Sequence, residues 1–191
     1  MIRPLRLAWI YADLLSTYGD RGTRRLQADG GLVEAVSRGA VLFAVCAGYQ
    51  MLGMEFGGAD EVPVAGLGLL DIRSGRGERR AVGEIVAEVD PALNVATLTG
   101  FENHQGVTRL GPQVRPLART VLGTGNGNGT EGAYAGRVLG TYLHGPALVR
   151  NPGLADLLLS WAVGPLPPLP PQGEELAHRL REERLSAVLP P

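Results

Sequence analysis

The sequence predicts an α/β fold in which parallel strands come first and a mixed edge follows. Two observations carry this. Residues 5–12 and 40–45 are apolar at nearly every position, the pattern of strands covered on both faces in a parallel sheet. Beyond residue 80 the apolar stretches alternate weakly, as in Val82-Gly83-Glu84-Ile85-Val86-Ala87-Glu88-Val89, which reads as antiparallel pairing.

In chain order, residues 5–12 are the expected first, central strand. Tyr18-Gly19-Asp20-Arg21-Gly22 is a turn-rich loop leading into a short helical piece, 23–26. Residues 32–36 end another helix, with Gly39 as its stop signal. The run 40–45 is a buried strand, and Tyr49-Gln50-Met51-Leu52-Gly53 opens a helix behind it. Gly57-Gly58 and Pro63 mark a loop, and Gly66 to Asp71 returns the chain to the sheet. Residues 73–80 are a charged stretch holding Arg73, Arg76, Arg79 and Arg80. Strands follow at 82–89 and 97–101, the second running into Glu102-Asn103-His104-Gln105-Gly106, with a short strand within 112–121. Gly123-Thr124-Gly125-Asn126-Gly127-Asn128-Gly129 is an irregular loop of left-handed formers. A strand over 137–143 ends on His144-Gly145-Pro146. Asn151-Pro152 caps and starts a helix with Leu154, Leu157, Leu158 and Trp161 on one face. The main domain is expected over residues 1–164, a proline linker over 165–173, and a charged terminal helix over 174–191.

Composition narrows the function classes. The 18 basic residues, all arginine, nearly balance 19 acidic ones, so no basic stripe points to nucleic acid. The single cysteine excludes an internal disulfide and fits a reducing compartment. No apolar run approaches the ~20 residues of a membrane span, and no signal-peptide pattern is present. A cytoplasmic protein is expected.

Chemistry concentrates at Cys46. It sits on a strand-to-helix joint, with Ala44 and Gly48 two residues away on either side. This is the shape of a nucleophile elbow, in which small flanks allow strand and helix to approach. The helix behind it should favour a thiolate. The bland alternative is a cysteine packed in the core. A thiol nucleophile needs a base, and histidine is the usual one. His178 reads as a surface residue of the terminal helix. His104 and His144 both follow apolar strands. His144 is the better base, because the strand end beside the elbow is where an α/β sheet puts its site; His104 then stands behind it.

The segments Ala44-Val45-Cys46-Ala47-Gly48-Tyr49-Gln50 and Thr141-Tyr142-Leu143-His144-Gly145-Pro146 resemble the elbow and histidine motifs of class I glutamine amidotransferases, in their cobyric-acid-synthase-like branch. Tyr18 to Gly22, Gly66 to Arg73, Gly100 to His104 and Gly125 to Gly129 also look like that branch, most of all like the glutaminase subunits of lipid II isoglutaminyl synthases. The resemblance spans residues 5 to about 161. It implies a three-layer sandwich, with helices on both faces of a mostly parallel sheet. It implies that Cys46 attacks the side-chain amide of L-glutamine, that His144 moves the proton, and that the Ala47 N–H is an oxyanion donor. Gln50 and an arginine, Arg80 before Arg79, would hold the substrate. Asp20, Glu102, Asn103 or His104 would orient the base or stand behind it. No metal or cofactor is expected in this chain. The ammonia would pass to a Mur-ligase-like partner that uses ATP and Mg to amidate the D-glutamate α-carboxylate of lipid II; the chain has no Walker-type phosphate loop of its own. A cobyrinic-type amidotransferase, a stand-alone cysteine hydrolase of γ-glutamyl bonds and a non-catalytic module on the same fold are the alternatives.

Two departures matter. The third-triad glutamate of ordinary class I members falls on Pro146 here. The family also carries a further strand and a glycine-rich loop, the second oxyanion donor, before the elbow. Only one crossover fits between Tyr11 and Val41. Missing residues near 26–31 would explain this, and would show as a Cα step far longer than 3.80 Å.

Overall fold

The computed structural model describes residues 5–8, 10, 20–57, 62–144, 147–167 and 171–188. Its elements are α1 (Asp20–Asp29), α2 (Gly31–Ser37), β1 (Leu42–Val45), α3 (Ala47–Met51), β2 (Glu55–Gly57), β3 (Pro63–Ala65), β4 (Ile72–Val89), β5 (Leu98–Leu110), β6 (Ala118–Leu122), β7 (Thr130–Glu131), β8 (Ala133–Ala135), β9 (Val138–Thr141), α4 (Ala147–Arg150), α5 (Pro152–Val163) and α6 (Pro171–Val188). A 3₁₀ turn lies at Pro91–Leu93.

Two sheets meet at the end of β9. The smaller has the order β1-β9-β8. In it β1 and β9 run parallel, with Val45 opposite Thr141, and β8 closes the edge antiparallel. The larger runs β3-β2-β4-β6-β7, with β5 also on β4. Of its ladders only β2–β4 is parallel. An antiparallel bridge from Phe101 to His144 ties the sheets together.

Strand β9 sits between two apolar clusters because its side chains alternate. Leu139 joins Ile85, Leu98, Leu117, Leu154 and Leu158, which docks α5. Val138 joins Tyr49, Leu52, Leu70, Ile72 and Tyr142, which docks α3. Each fully buried leucine contributes about 1.5–3 kcal/mol. Helix α3 approaches β9 closely at Gly140, where a Cβ would stand 2.8 Å from Cγ of Tyr49. At Gly48 it would stand 3.7 Å from the Ala44 Cβ, an ordinary contact.

Several local expectations are corrected. Residues 5–8 and 10 form no strand, and Leu7 is 87% exposed; Trp9 and residues 11–12 lie outside the described residues. The α/β class holds, but the sheet expected to be mostly parallel is mostly antiparallel: among the described ladders only β1–β9 and β2–β4 run parallel, because β4, β5 and β6 are neighbours in the chain and fold back on one another. At the junction of α1 and α2, Gly30 N–H donates to Leu26 O, and Gly30 O accepts from Glu34 N–H, both at 3.0 Å. Gly57 and Pro63, expected to mark a loop, pair where β2 ends and β3 begins; residues 58–61 between them lie outside the described residues. The charged stretch 73–80 belongs to β4, one strand with a register shift between Arg76 and Ala81. Asn151 makes no side-chain cap. Pro152 at the first turn has no N–H to satisfy, and the Asn151 amide instead staples β5, accepting from Thr99 N–H (2.9 Å) and donating to Thr99 O (2.8 Å). Helix α6 starts at Pro171, and Arg181 reaches from it to Thr97 O and to Asn151 Oδ1. No helix among the described residues is long and apolar enough to cross a membrane.

Candidate active site

Cys46 occupies the turn between β1 and α3 with φ 53° and ψ −114°. Asn94 is the other non-glycine described residue at positive φ. Such a conformation costs on the order of 1–3 kcal/mol and persists only where the surroundings impose it. Here Cys46 N–H donates to Thr141 O (2.8 Å), and Cys46 O accepts from Gln50 N–H (3.1 Å). The thiol is pushed above its ordinary pKa of 9.0 by burial, which outweighs the Ala47 N–H and the Arg80 charge. Burial thus works against the thiolate expected from the helix N-terminus. A helix of five residues has too few aligned peptides to offset desolvation.

Three residues beyond the Cys46 contact, His144 leaves β9. Its N–H donates to Phe101 O (2.7 Å), which holds its backbone against β5. The ring is pushed below its ordinary pKa of 6.5 by burial, then by His104 and Arg80, with the Asn103 backbone opposing. Its Nε2 is buried without a hydrogen-bond partner. Burial thus shifts the Cys46 thiol toward its protonated form and the His144 ring toward its neutral form.

Arg80 lies in the irregular part of β4, and its charge acts on both Cys46 and His144. Its Nε donates to Asn103 Oδ1 (2.9 Å). Arg79 beside it is exposed. Gln50 Nε2 donates to Tyr142 Oη (3.0 Å). That hydroxyl also pairs with Thr108 Oγ1 (2.8 Å), which pairs in turn with Ser74 Oγ (2.8 Å).

Behind the candidate base lies a buried pair. His104 Nε2 faces Glu102 Oε2 at 3.3 Å, Nδ1 meets Gly106 O at 2.9 Å, and the ring stacks on Tyr142 with centroids 3.9 Å apart. Glu102 also accepts from Thr124 N–H (2.8 Å) and Gly125 N–H (2.9 Å). Burial raises its pKa, but these hydrogen bonds together hold it below the usual glutamate value. Glu102 thus anchors the glycine-rich loop as well as His104. The Asp20 side chain, Gly145 and Pro146 lie outside the described residues, and His178 is exposed.

Sequence reasoning missed Glu131. It is fully buried at the end of β7 and accepts from Thr141 Oγ1 and from Tyr142 N–H (2.9 Å). The signal was an acid flanked by glycine loops and a small-residue strand, with no apolar pattern to mark it as interior.

Residues 9–152 match the CobB/CobQ-like glutamine amidotransferase domain. The chain belongs to that family. Curated relatives include the lipid II isoglutaminyl synthase (glutamine-hydrolyzing) subunit GatD of Staphylococcus aureus, 38% identical over 69% of this chain and 53% of the relative. The GatD of Streptococcus pneumoniae is 34% identical over 67% and 50%. The cobyric acid synthase of Pelotomaculum thermopropionicum is 40% identical over 67% of this chain and 27% of the relative. The chain spans about half the length of the GatD relatives it matches. A crystal structure of a glutamine amidotransferase superimposes with TM-score 0.56 and 28% identity, covering 73% of this chain and 70% of that one. The CobB/CobQ-like domain therefore contains Cys46, Arg80, Asn103, Glu131 and His144 alike.

Proposed function

We propose that this protein is a glutaminase subunit working through Cys46 and His144. The observation that carries the reading is the strained elbow at Cys46, hydrogen-bonded to the end of the same strand that delivers His144. Cys46 Sγ attacks the side-chain amide carbon of glutamine while its proton passes to His144 Nε2. The Ala47 N–H steadies the oxyanion, a contribution of about 3–4 kcal/mol in such sites. The C–N bond then breaks, His144 returns the proton to the nitrogen, and ammonia leaves. Water hydrolyses the thioester to glutamate and restores the thiol.

Arg80 takes the substrate α-carboxylate in a bidentate pair, and Gln50 holds the substrate beside it. Arg80→Ala should raise KM for glutamine about 10- to 100-fold, the loss of a charged hydrogen-bonded contact. Arg79→Ala should stay within about threefold in the same steady-state assay.

The ammonia goes to a Mur-ligase-like partner in the cytoplasm. That partner would use ATP and Mg to activate the D-glutamate α-carboxylate of lipid II, while this chain needs no cofactor of its own. Likeness to two GatD subunits supports this acceptor. Likeness to cobyric acid synthases favours a second reading, amidation of a corrinoid carboxylate.

The deciding experiment is ammonia release from glutamine by the wild type and Cys46→Ala, with and without the partner. Loss of at least about a thousandfold in Cys46→Ala is expected. Equal rates would overturn the mechanism. Adding a lipid II analogue or a cobyrinic acid derivative then separates the two acceptors.

A further inference from the structure

Glu131 stands out because burial of a carboxyl is costly unless its hydrogen bonds are well used. One oxygen, Oε1, accepts twice, from Thr141 Oγ1 and from Tyr142 N–H. The other, Oε2, is buried without a partner, and so is Thr120 Oγ1. Both of these approach the point where a Cβ would stand on Gly125, at 3.1 and 2.9 Å. Gly125 has φ +53° and could not carry a side chain there without meeting them.

What Oε1 holds is the segment between the two catalytic candidates. Strand β9 ends at Thr141, so the N–H groups that follow lose their ladder partners. Tyr142 N–H goes to Glu131 directly. Leu143 N–H goes to Thr141 Oγ1 (3.0 Å), whose own proton goes to Glu131. The Thr141 carbonyl, on the other side of the same residue, accepts from Cys46 N–H. His144 comes next in the chain.

We infer that Glu131 is a positioning residue for the Cys46–His144 pair. Its Oε1 stands in for the strand neighbour that residues 141–143 lack, and so fixes where His144 leaves the sheet relative to Cys46. The inference rests on the proposed roles of those two residues. Hydrogen-bond acceptance rather than charge does the holding. The carboxyl is pushed up to about 7 by burial, against the Thr141 and Tyr142 hydrogen bonds and the His104 charge, with Glu102 adding to the rise. Oε1 accepts in both protonation states.

The test compares Glu131→Gln, which keeps a carbonyl oxygen, with Glu131→Ala, which removes it. Thr141→Val and Thr141→Ser form a second pair that removes or keeps the hydroxyl with little change of shape. Two readouts are taken on folded protein, at a temperature well below each melting midpoint. In glutamine hydrolysis, Glu131→Ala should lose about 100-fold in kcat and Thr141→Val about 10-fold, with KM within threefold of wild type. Glu131→Gln and Thr141→Ser should recover most of the loss. In iodoacetamide labelling of Cys46 at pH 7, Glu131→Ala should fall at least fivefold, toward the His144→Ala rate, and Glu131→Gln should not. Labelling needs no glutamine, so it reads the pair even if the wild type releases no ammonia. Wild-type labelling rates in both Glu131→Ala and Thr141→Val overturn the positioning role, as does equal loss in Glu131→Gln and Glu131→Ala. Ammonia release that is insensitive to Cys46→Ala overturns the glutaminase reading instead.

Discussion

Replacing His144 by alanine is expected to lower kcat for ammonia release by about 10²- to 10⁴-fold while KM changes little. A general base acts in the transition state and not in substrate binding. Its environment also sets the pH dependence. Burial, His104 and Arg80 hold the ring below 6.5, so the neutral, proton-accepting form persists below that pH. The acid limb of kcat/KM should therefore fall below pH 6.5. Burial holds the Cys46 thiol above 9.0, so the limb that reports loss of its proton should lie above pH 9.0. A pH profile of kcat/KM checks both directions. An acid limb above 6.5 would show that the free imidazole is not in the buried, positively biased setting described here.

Gly140→Ala should be strongly destabilising. The new methyl would stand 2.8 Å from Cγ and 2.9 Å from Cε2 of Tyr49. Tyr49 cannot yield easily. It is fully buried, its Oη donates to Asn126 Oδ1 (3.2 Å), and its ring packs edge-on against Tyr142 with centroids 5.3 Å apart. Overpacking of this kind costs about 1–3 kcal/mol and more where neighbours are fixed, so a loss of at least about 3 kcal/mol is expected. Gly48→Ala, beside the nucleophile, should stay within about 1 kcal/mol, since its Cβ meets only the Ala44 Cβ at ordinary distance. Urea midpoints of the two variants test the contrast. Equal destabilisation would mean that α3 is held to the sheet near Gly48 and not through Tyr49.

That contrast shows where sequence reading stopped. A small residue beside Cys46 looked like the condition for the elbow, because sequence shows neighbours along the chain. The tight contact runs instead between Tyr49 and Gly140, far apart in sequence and brought together when β1 and β9 pair. Arg80 was legible as the favoured candidate before Arg79, but its hydrogen bond to Asn103 was not, because the place of both follows from the pairing of β4 with β5. The run 5–12 read as a central strand on apolarity alone. Its described residues are exposed instead, since a strand also needs a partner edge.

The sequence by itself determined the elbow, the strand that ends on His144, the irregular glycine loop and the α/β class. All of these are local: apolar runs, glycine punctuation and the identity of one cysteine. Tertiary structure decided the rest. It pushed the Cys46 thiol up and the His144 ring down in pKa, because desolvation depends on what surrounds a group rather than on what adjoins it in the chain. It put Glu131 under the end of β9, because an N–H left without a ladder partner must find its acceptor wherever the fold brings one.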